Sequence, residues 1–348
     1  MLHGREALRK LVLNLASGLA PLARPILGGI GAILMLHRVT VDPDRARGFN
    51  RHLAITPEFL DRLIGTLKAD GYEFVTIDEA LVRLRHGRGG RRFTSITADD
   101  GYRDNLMEAL PVLEAHGVPI TIYIAPGLLD VTAFPWWELV EEIVARSKIV
   151  RVPTTDGDVT LNAQDDPVGA NAWLHDHLRK GLAEHDRHAF LSALAEAHGV
   201  GAAALSRAAF MDWAEIERIS RHPLVTIGAH TVHHYNLKRL QADEALREMV
   251  EAADILEARL GARPRHMAYP YGYRSAVGCR EVKLAAEAGF TSAVTTRHGL
   301  IQPQHESHPH ALPRISINGR YQQLGYIRTM LSGVITPLAN PGRLVVTV

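Results

Sequence analysis

The sequence predicts an α/β fold in which parallel strands form a barrel, with helices outside and one helical insertion. From Ala32 onward, strand-like and helix-like runs alternate, and strands separated by helices of this length imply parallel β-α-β units. The 348 residues, 46% of them hydrophobic, suffice for one large core. The alternation stops between about residues 134 and 212 and then resumes, which indicates an insertion between barrel units.

Four strand-like runs and three helix-like runs make up the first half of the predicted barrel. The strands are expected at 32–39, 73–77, 93–100 and 119–125. The helices are expected at 56–71, 78–87 and 102–117. Thr56 is a favourable N-cap and Gly71 a favourable end for the first of these helices.

The second half follows the insertion, which is rich in Ala, His, Asp and Glu and contains a hairpin-like stretch at 154–162. Strands are then expected at 224–230, 265–272 and 290–296, and helices at 211–223, up to about 260, and at 280–289. We therefore predict an N-terminal segment (1–31), a barrel (32–320) and a C-terminal tail (321–348).

The N-terminal segment is apolar but interrupted. Asn14, Pro21, Arg24 and Pro25 leave it short of the ~20 clean apolar residues that a membrane-spanning helix needs. We expect an amphipathic segment that rests on a membrane surface. A helix packed on the barrel and a signal peptide with a poor cleavage site are the alternatives. The expected location is cytoplasmic, peripheral to the membrane, with export as the alternative.

Charge and cysteine content restrict the function. A net charge of +1 argues against a nucleic-acid-binding protein. Cys279 is the only cysteine, which excludes a disulfide framework and a thiolate zinc site. The 19 histidines leave imidazole and carboxylate groups as the expected ligands of any metal ion.

Three predicted strands end in unusual polar stretches. These are "TADDGY" (97–102), "GAHTVHHYNL" (228–237) and "AYPYG" (268–272). In barrels of this kind, functional groups gather where strands end and loops begin. The three stretches are therefore expected to lie at one end of the barrel.

The histidines in the second stretch have the spacing of metal ligands. His230 and His234 are four residues apart, so both imidazoles can reach one ion on a helical turn, and His233 is the alternative partner at three apart. Two histidines and one carboxylate leave an open position on zinc, as catalytic sites require. One residue of the pair Asp99 and Asp100 can then ligate the ion while its neighbour acts as a general base.

The three stretches, in this order and separation, resemble the first three motifs of the polysaccharide deacetylase family (carbohydrate esterase family 4, the NodB-homology domain). The resemblance runs from about Ile33 to Ile317. It implies a distorted (β/α) barrel and a metal-dependent hydrolysis of N-acetyl groups on amino sugars, with Zn²⁺ as the expected ion. N-acetylated glycans or glycolipids are the implied substrates.

The resemblance also implies roles by position. Asp99 matches the base, Asp100, His230 and His234 match the metal ligands, and the backbone N–H of Tyr271 matches the oxyanion contact. Ala98 replaces an aromatic residue usual in the family.

The later motifs depart further from the family pattern. Ala268 stands where the family often has an arginine that orients the base, and we expect Arg314 to replace it. The acid histidine has no clean match, so His298, His308 and His310 are candidates, with His310 preferred because it precedes a strand-like run.

Three further side chains each have two possible roles, one in the site and one in the structure. His37 ends the first predicted strand and can line the site or be a buried structural histidine. Trp136 and Trp137 can stack on a sugar ring or anchor the insertion.

For the whole chain, a deacetylase is the main hypothesis. A carbohydrate-binding pseudoenzyme and an amidohydrolase of non-sugar substrates are the alternatives.

Overall fold

Seven parallel strands close into a barrel, which confirms the predicted fold class. The computed structural model describes residues 2–42, 48–87 and 90–348, with only the backbone for residues 2–5. The strands are β1 (Gly31–Leu36), β2 (Arg38–Val39), β3 (Ala54–Ile55), β4 (Glu73–Phe74), β5 (Phe93–Ala98), β6 (Ile120–Ile124), β7 (Ile149–Val152), β8 (Val159–Asn162), β9 (Val225–Ala229), β10 (His266–Ala268), β11 (Ser292–His298) and β12 (Leu312–Ser316).

Helices surround the barrel and form most of the insertion. They are α1 (Leu2–Ser17), α2 (Ala20–Leu27), α3 (Pro57–Ala69), α4 (Ile77–His86), α5 (Leu110–His116), α6 (Pro126–Leu129), α7 (Trp136–Arg146), α8 (Pro167–Asp176), α9 (Asp186–Ala197), α10 (Ala202–Ala209), α11 (Trp213–Ser220), α12 (Ala242–Leu260), α13 (Cys279–Glu287), α14 (Leu324–Leu331) and α15 (Thr336–Ala339).

The ring runs β1, β5, β6, β9, β10, β11 and β12, and β12 returns to β1. Every neighbouring pair is parallel, so all seven carboxyl ends meet at one mouth. The predicted strand at 73–77 is shorter than expected, because the Thr76 side chain accepts a hydrogen bond from the Glu79 N–H and starts α4 there. What remains, β4, pairs with the first residues of β5 outside the ring.

The insertion lies between β6 and β9, which are neighbours in the ring. It contains α7 to α10 and has a hydrophobic cluster of its own, built around residues such as Leu139, Val140 and Leu174. The predicted hairpin is present as the antiparallel pair β7 and β8, and its first strand begins earlier than the sequence indicated. The insertion therefore forms a separately packed part of the connection between β6 and β9.

The two ends of the chain meet on the outside of the barrel, where α14 contacts α1 and α2. The segment predicted as a tail is thus partly helical, and Val346 near its end is buried. In the described part of the chain, no single helix is long and apolar enough to cross a membrane. One bent pair, α9 with α10 at 109°, passes the same test on length and composition alone.

Candidate active site

Asp100, His230 and His234 come together at the carboxyl ends of β5 and β9. Their ligand atoms all lie within 4.8 Å of one another, and all three residues are buried. Oδ1 of Asp100 is 3.3 Å from Nε2 of His230 and 3.4 Å from Nε2 of His234. Two atoms that each bind a tetrahedral Zn²⁺ at about 2.0–2.2 Å lie about 3.3–3.6 Å apart. The three side chains therefore fit one such ion.

The protonation of this triad also suits a cation. Nδ1 of His230 donates to the carbonyl oxygen of Ala268 at 2.7 Å, which directs Nε2 of that ring toward Asp100 as the ligand atom. Burial lowers the pKa of His230, but Asp100 and Asp99 bring it above its ordinary value, so a cation would replace the Nε2 proton. Burial, reinforced by the charges of His230 and Arg187 and opposed by Asp100, lowers the pKa of His234 to about 3. His234 is therefore neutral, the form that binds metals. No described residue makes a hydrogen bond to Oδ1 of Asp100, although that atom is buried.

Unusual backbone conformations explain how two adjacent aspartates serve one pocket. Neighbouring residues of a strand point to opposite faces, but β5 ends at Ala98, and Asp100, with φ of 75°, lies beyond it in a turn. Thr231, His234 and Tyr271 also have positive φ, so this site holds four of the five described non-glycine residues in that region. Such conformations are costly for L-residues and cluster at functional sites.

Asp99 makes a bidentate ion pair with Arg314. Its two carboxylate oxygens accept from NH1 and NH2 of Arg314, both at 2.7 Å. The arginine is itself fixed by Thr97 Oγ1 and by the carbonyl oxygen of Thr295. Burial alone would raise the pKa of Asp99, but the charge and hydrogen bonds of Arg314 bring it below its ordinary value. Asp99 is thus an oriented, ionised carboxylate beside the triad. Arg314 occupies the orienting position that Ala268 cannot fill.

Tyr271 contributes both its backbone and its side chain. No described residue accepts a hydrogen bond from its backbone N–H, so this donor is free for a ligand. Its hydroxyl accepts from Nε1 of Trp136 at 2.9 Å and from NH1 of Arg187 at 3.0 Å, and its carbonyl oxygen accepts from Thr296. The positive φ and these three contacts hold the peptide group in place.

A cavity of about 400 Å³ opens onto the triad, and His37 lines it. Leu36 is the parallel partner of Ala98, so the next residue on each strand brings His37 beside Asp99. Nε2 of His37 is 4.0 Å from Oδ2 of Asp99, and the side chain is 21% exposed. His37 is therefore the candidate acid that the fold brings to the reacting centre.

Trp136 and Trp137 line the same cavity and are almost fully buried. Nε1 of Trp137 donates to the Tyr102 hydroxyl at 2.6 Å, and its ring centre is 5.0 Å from that of His234. These rings anchor the insertion, as one of the two sequence interpretations expected, and they also form a wall of the site. Stacking on a sugar ring stays a prediction.

The fold keeps the other candidate histidines away from this centre. Nδ1 of His233 is 2.6 Å from Oε1 of Glu248, outside the triad. His298 is half-buried near the C-terminal segment, and His308 is exposed. Nε2 of His310 donates to the carbonyl oxygen of Phe290. The expectation for His310 was wrong in position, because it precedes β12 and so lies at the amino end of the barrel.

Several cavity residues were missed in the sequence. They are Asn50, His52, His175, Arg179, Asn318 and Arg320. They come from loops and from the insertion, and no motif marks them. One sequence feature could have indicated two of them: Asn318 and Arg320 come within a few residues of the end of a predicted strand-like run.

Part of the chain matches a known protein family. Residues 153–293 match a family described as polysaccharide deacetylase. That range includes His230, His234 and Tyr271 and excludes the aspartate pair. No curated protein matches the chain.

Solved structures share the fold at low sequence identity. The Streptococcus pyogenes deacetylase PplD, in complex with acetate, is 18% identical with a TM-score of 0.55, covering 83% of this chain and 92% of that one. IcaB from Ammonifex degensii is 16% identical with a TM-score of 0.55, covering 87% and 97%. A de-N-acetylase from Aggregatibacter actinomycetemcomitans is 15% identical with a TM-score of 0.53, covering 83% and 95%.

Proposed function

We propose that this chain, which carries a polysaccharide deacetylase domain, removes N-acetyl groups from an amino sugar in a glycan or glycolipid and releases acetate. The proposal rests on one observation: a buried cation site and a buried, oriented carboxylate lie side by side. A carboxylate and two imidazoles fit one cation, and directly beside them Asp99 is held by two hydrogen bonds to Arg314. Amide hydrolysis needs this combination of an electrophilic centre and an oriented base.

The roles of the side chains follow from their positions. Zn²⁺, the ion we propose, would be held by Asp100, His230 and His234 and would polarise the acetamide carbonyl and acidify a water molecule. Asp99 accepts the proton of the water that adds to the acetamide carbon. The Tyr271 N–H stabilises the negative charge that develops on the acetamide oxygen. His37 donates a proton to the nitrogen as the C–N bond breaks. Acetate and the free amino sugar are the products.

Acetate release from defined substrates tests this proposal. Purified protein loaded with Zn²⁺ is incubated with N-acetylated oligosaccharides of different sugars and lengths, and with simple acetanilides. We expect acetate from at least one sugar substrate, and none after chelation of the metal. Binding of the oligosaccharides without acetate release would support the pseudoenzyme instead. Hydrolysis of the acetanilides alone would support an amidohydrolase of non-sugar substrates.

We further propose that the protein is cytoplasmic and rests on an anionic membrane surface through α1 and α2. On α1, Leu8, Leu11 and Leu15 follow the i, i+3, i+7 spacing of one helix face, and each is more than half exposed. Leu19, Leu22 and Ile26 continue the same spacing through α2 with exposures of 58–76%. Residues 1–30 contain four basic residues and one acidic residue, which suits an anionic interface.

Co-sedimentation with vesicles tests the membrane surface. Wild-type protein is expected to sediment with phosphatidylglycerol-containing vesicles, and the double variant Leu11→Ser, Leu22→Ser to lose most of that binding. Met107→Ser, which changes an equally exposed side chain on another helix, serves as the control. Equal binding by all three proteins, or dimerisation of the wild type through this face, would contradict the proposal.

A further inference from the structure

Four basic side chains line the active-site cavity without a part in the hydrolysis described above. His52, His175, Arg179 and Arg320 all face the same cavity of about 400 Å³ as the triad, a size within the range of about 300–1,000 Å³ that ligand pockets have. They come from the segment before β3, from α8, from the turn after it and from the turn after β12. We refer to these four residues as the basic cluster.

Three nitrogen atoms of the basic cluster are shielded and lack a partner. Within the described residues, nothing accepts from or donates to Nδ1 of His52, Nε2 of His175 or Nε of Arg320. Buried polar atoms are nearly always hydrogen-bonded, and leaving one without a partner destabilises a fold. These three atoms are themselves almost inaccessible to solvent, so a ligand would contact the accessible parts of the same side chains. The atoms show that the protein supplies few hydrogen-bond partners to the basic cluster.

The charge of the cavity indicates which ligand. The acidic side chains in its lining are Asp99 and Asp100. The first is paired with Arg314, and the second belongs to the cation site. Arg179 and Arg320 therefore leave this part of the cavity positively charged.

Within the described residues, Arg179 makes no ion pair with a carboxylate, and Arg320 makes only a long one, with Glu6. Nε of Arg320 is 3.9 Å from Oε2 of Glu6, beyond hydrogen-bond distance, while Arg51 and Lys10 bind that carboxylate at 2.7 and 3.0 Å. Arg179 donates to the Tyr273 hydroxyl. A guanidinium group without a close carboxylate partner can form charge-assisted hydrogen bonds to the oxygens of a phosphate or carboxylate group.

The two imidazoles are neutral groups beside these charges. Burial, with the charges of Arg320, His37 and His175, lowers the pKa of His52 to about 3. Burial and the charge of Arg179 lower the pKa of His175 to about 4. Each ring therefore carries a single proton near neutral pH and adds no charge of its own to the cavity; in His52 a hydrogen bond to the backbone of Phe49 competes for that proton.

We infer that the basic cluster binds an oxyanion, a phosphate or carboxylate group, that the substrate carries close to its acetylated sugar. This inference rests on the proposed function, because it places the acetamide at the triad and the anion at the cluster within one cavity. It narrows the substrate class from any N-acetylated glycan to an acidic one, such as a sugar phosphate or a glycan that contains a uronic acid.

Two measurements on the metal-loaded full-length protein test the inference. The first is the Kd of glucose 1-phosphate, glucuronic acid and methyl glucoside, none of which has an acetyl group to lose. The second is kcat/KM for acetate release from diacetylchitobiose, its 1-phosphate, and the disaccharide of N-acetylglucosamine and glucuronic acid. We expect at least one anion to be favoured by about 10- to 100-fold in both measurements, the usual effect of hydrogen bonds to a charged group.

Arg320→Gln should remove this preference, measured as the ratio of kcat/KM for the acidic substrate to kcat/KM for neutral diacetylchitobiose. Arg343→Gln removes the same charge from an exposed position and should preserve the preference. An anion that coordinates the metal alone would keep its affinity in Arg320→Gln, and that result would overturn the inference. Equal Kd values for charged and neutral sugars would also overturn it. Anion binding that depends on Arg320, without hydrolysis of any acetylated sugar, would instead reject the proposed deacetylation and retain the subsite.

Discussion

Asp99→Asn is expected to lower turnover by about 10²- to 10⁴-fold, the usual size of a general-base effect, and to leave the metal in place. The Asp99 carboxylate lies beside the cation triad but does not belong to it. Its oxygens are instead occupied by Arg314 at 2.7 Å. Asparagine keeps the shape of the side chain and one acceptor oxygen, so the change removes basicity with little change in volume.

Asp100→Asn is the matched comparison, because it makes the same chemical change one residue further along. It should lose most of the metal together with turnover, since an amide is a poor substitute for a carboxylate at a Zn²⁺ site. His234→Ala should behave in the same way, whereas His233→Ala should retain metal because that imidazole contacts Glu248.

Metal content by atomic absorption and initial rates of acetate release check all four variants. Asp99→Asn leaves the Arg314 charge partly unpaired in a buried position, so a thermal melt must accompany the rates. Equal metal loss in Asp99→Asn and Asp100→Asn would show that both carboxylates are ligands. The base would then have to be another group.

Part of this site could be predicted from the sequence because its residues are local to strand ends. The aspartate pair and His230 follow β5 and β9 directly, and parallel strands bring such positions together. The expected helical turn between His230 and His234 is wrong, because this stretch is an irregular loop with positive φ at Thr231 and His234. The positive φ that turns Asp100 into the pocket could not be predicted, since non-glycine residues rarely adopt it. Arg314 could be proposed only as a substitute for the arginine missing at Ala268.

The misplacement of His310 has a simple geometric cause. A residue that precedes a strand of a parallel barrel lies at the amino end, and the site lies at the carboxyl end. The strand-like run that follows His310 should therefore have placed this residue at the amino end of the barrel. The structure places it there, because His310 precedes β12 (Leu312–Ser316). His37, in contrast, follows its strand and reaches the mouth.

The basic cluster was beyond sequence reasoning for a different reason. His175 and Arg179 are four residues apart on the insertion, but His52 and Arg320 lie far from them and from each other in the chain, and no motif links the three segments. Only tertiary packing brings His52 and Arg320 together, through the contact of the short turn Arg51–Leu53 with Gly319–Tyr321. Its unpartnered atoms become visible only when every hydrogen bond around the cavity is known.

His37→Ala is expected to lower turnover of an N-acetylated sugar by about 10²- to 10⁴-fold with unchanged metal content, the usual loss when a general acid is removed. The side chain lines the cavity, with Nε2 4.0 Å from Oδ2 of Asp99, close enough to reach the nitrogen of an acetamide bound between them. The backbone that carries it is held in place because Nδ2 of Asn105 donates to the His37 carbonyl oxygen at 3.0 Å.

A substrate with a better leaving group separates an acid from a merely structural residue. The amine of 4-nitroacetanilide departs with less need for a proton, so the defect of His37→Ala should shrink strongly on this substrate, whereas a structural defect would affect both substrates equally. His298→Ala, His308→Ala and His310→Ala should turn over both substrates like the wild type, because the fold places these histidines away from the cavity. Normal turnover of the sugar by His37→Ala would refute His37 as the general acid. If His52→Ala lost turnover of the sugar but not of 4-nitroacetanilide, His52, which lines the same cavity, would be the acid instead.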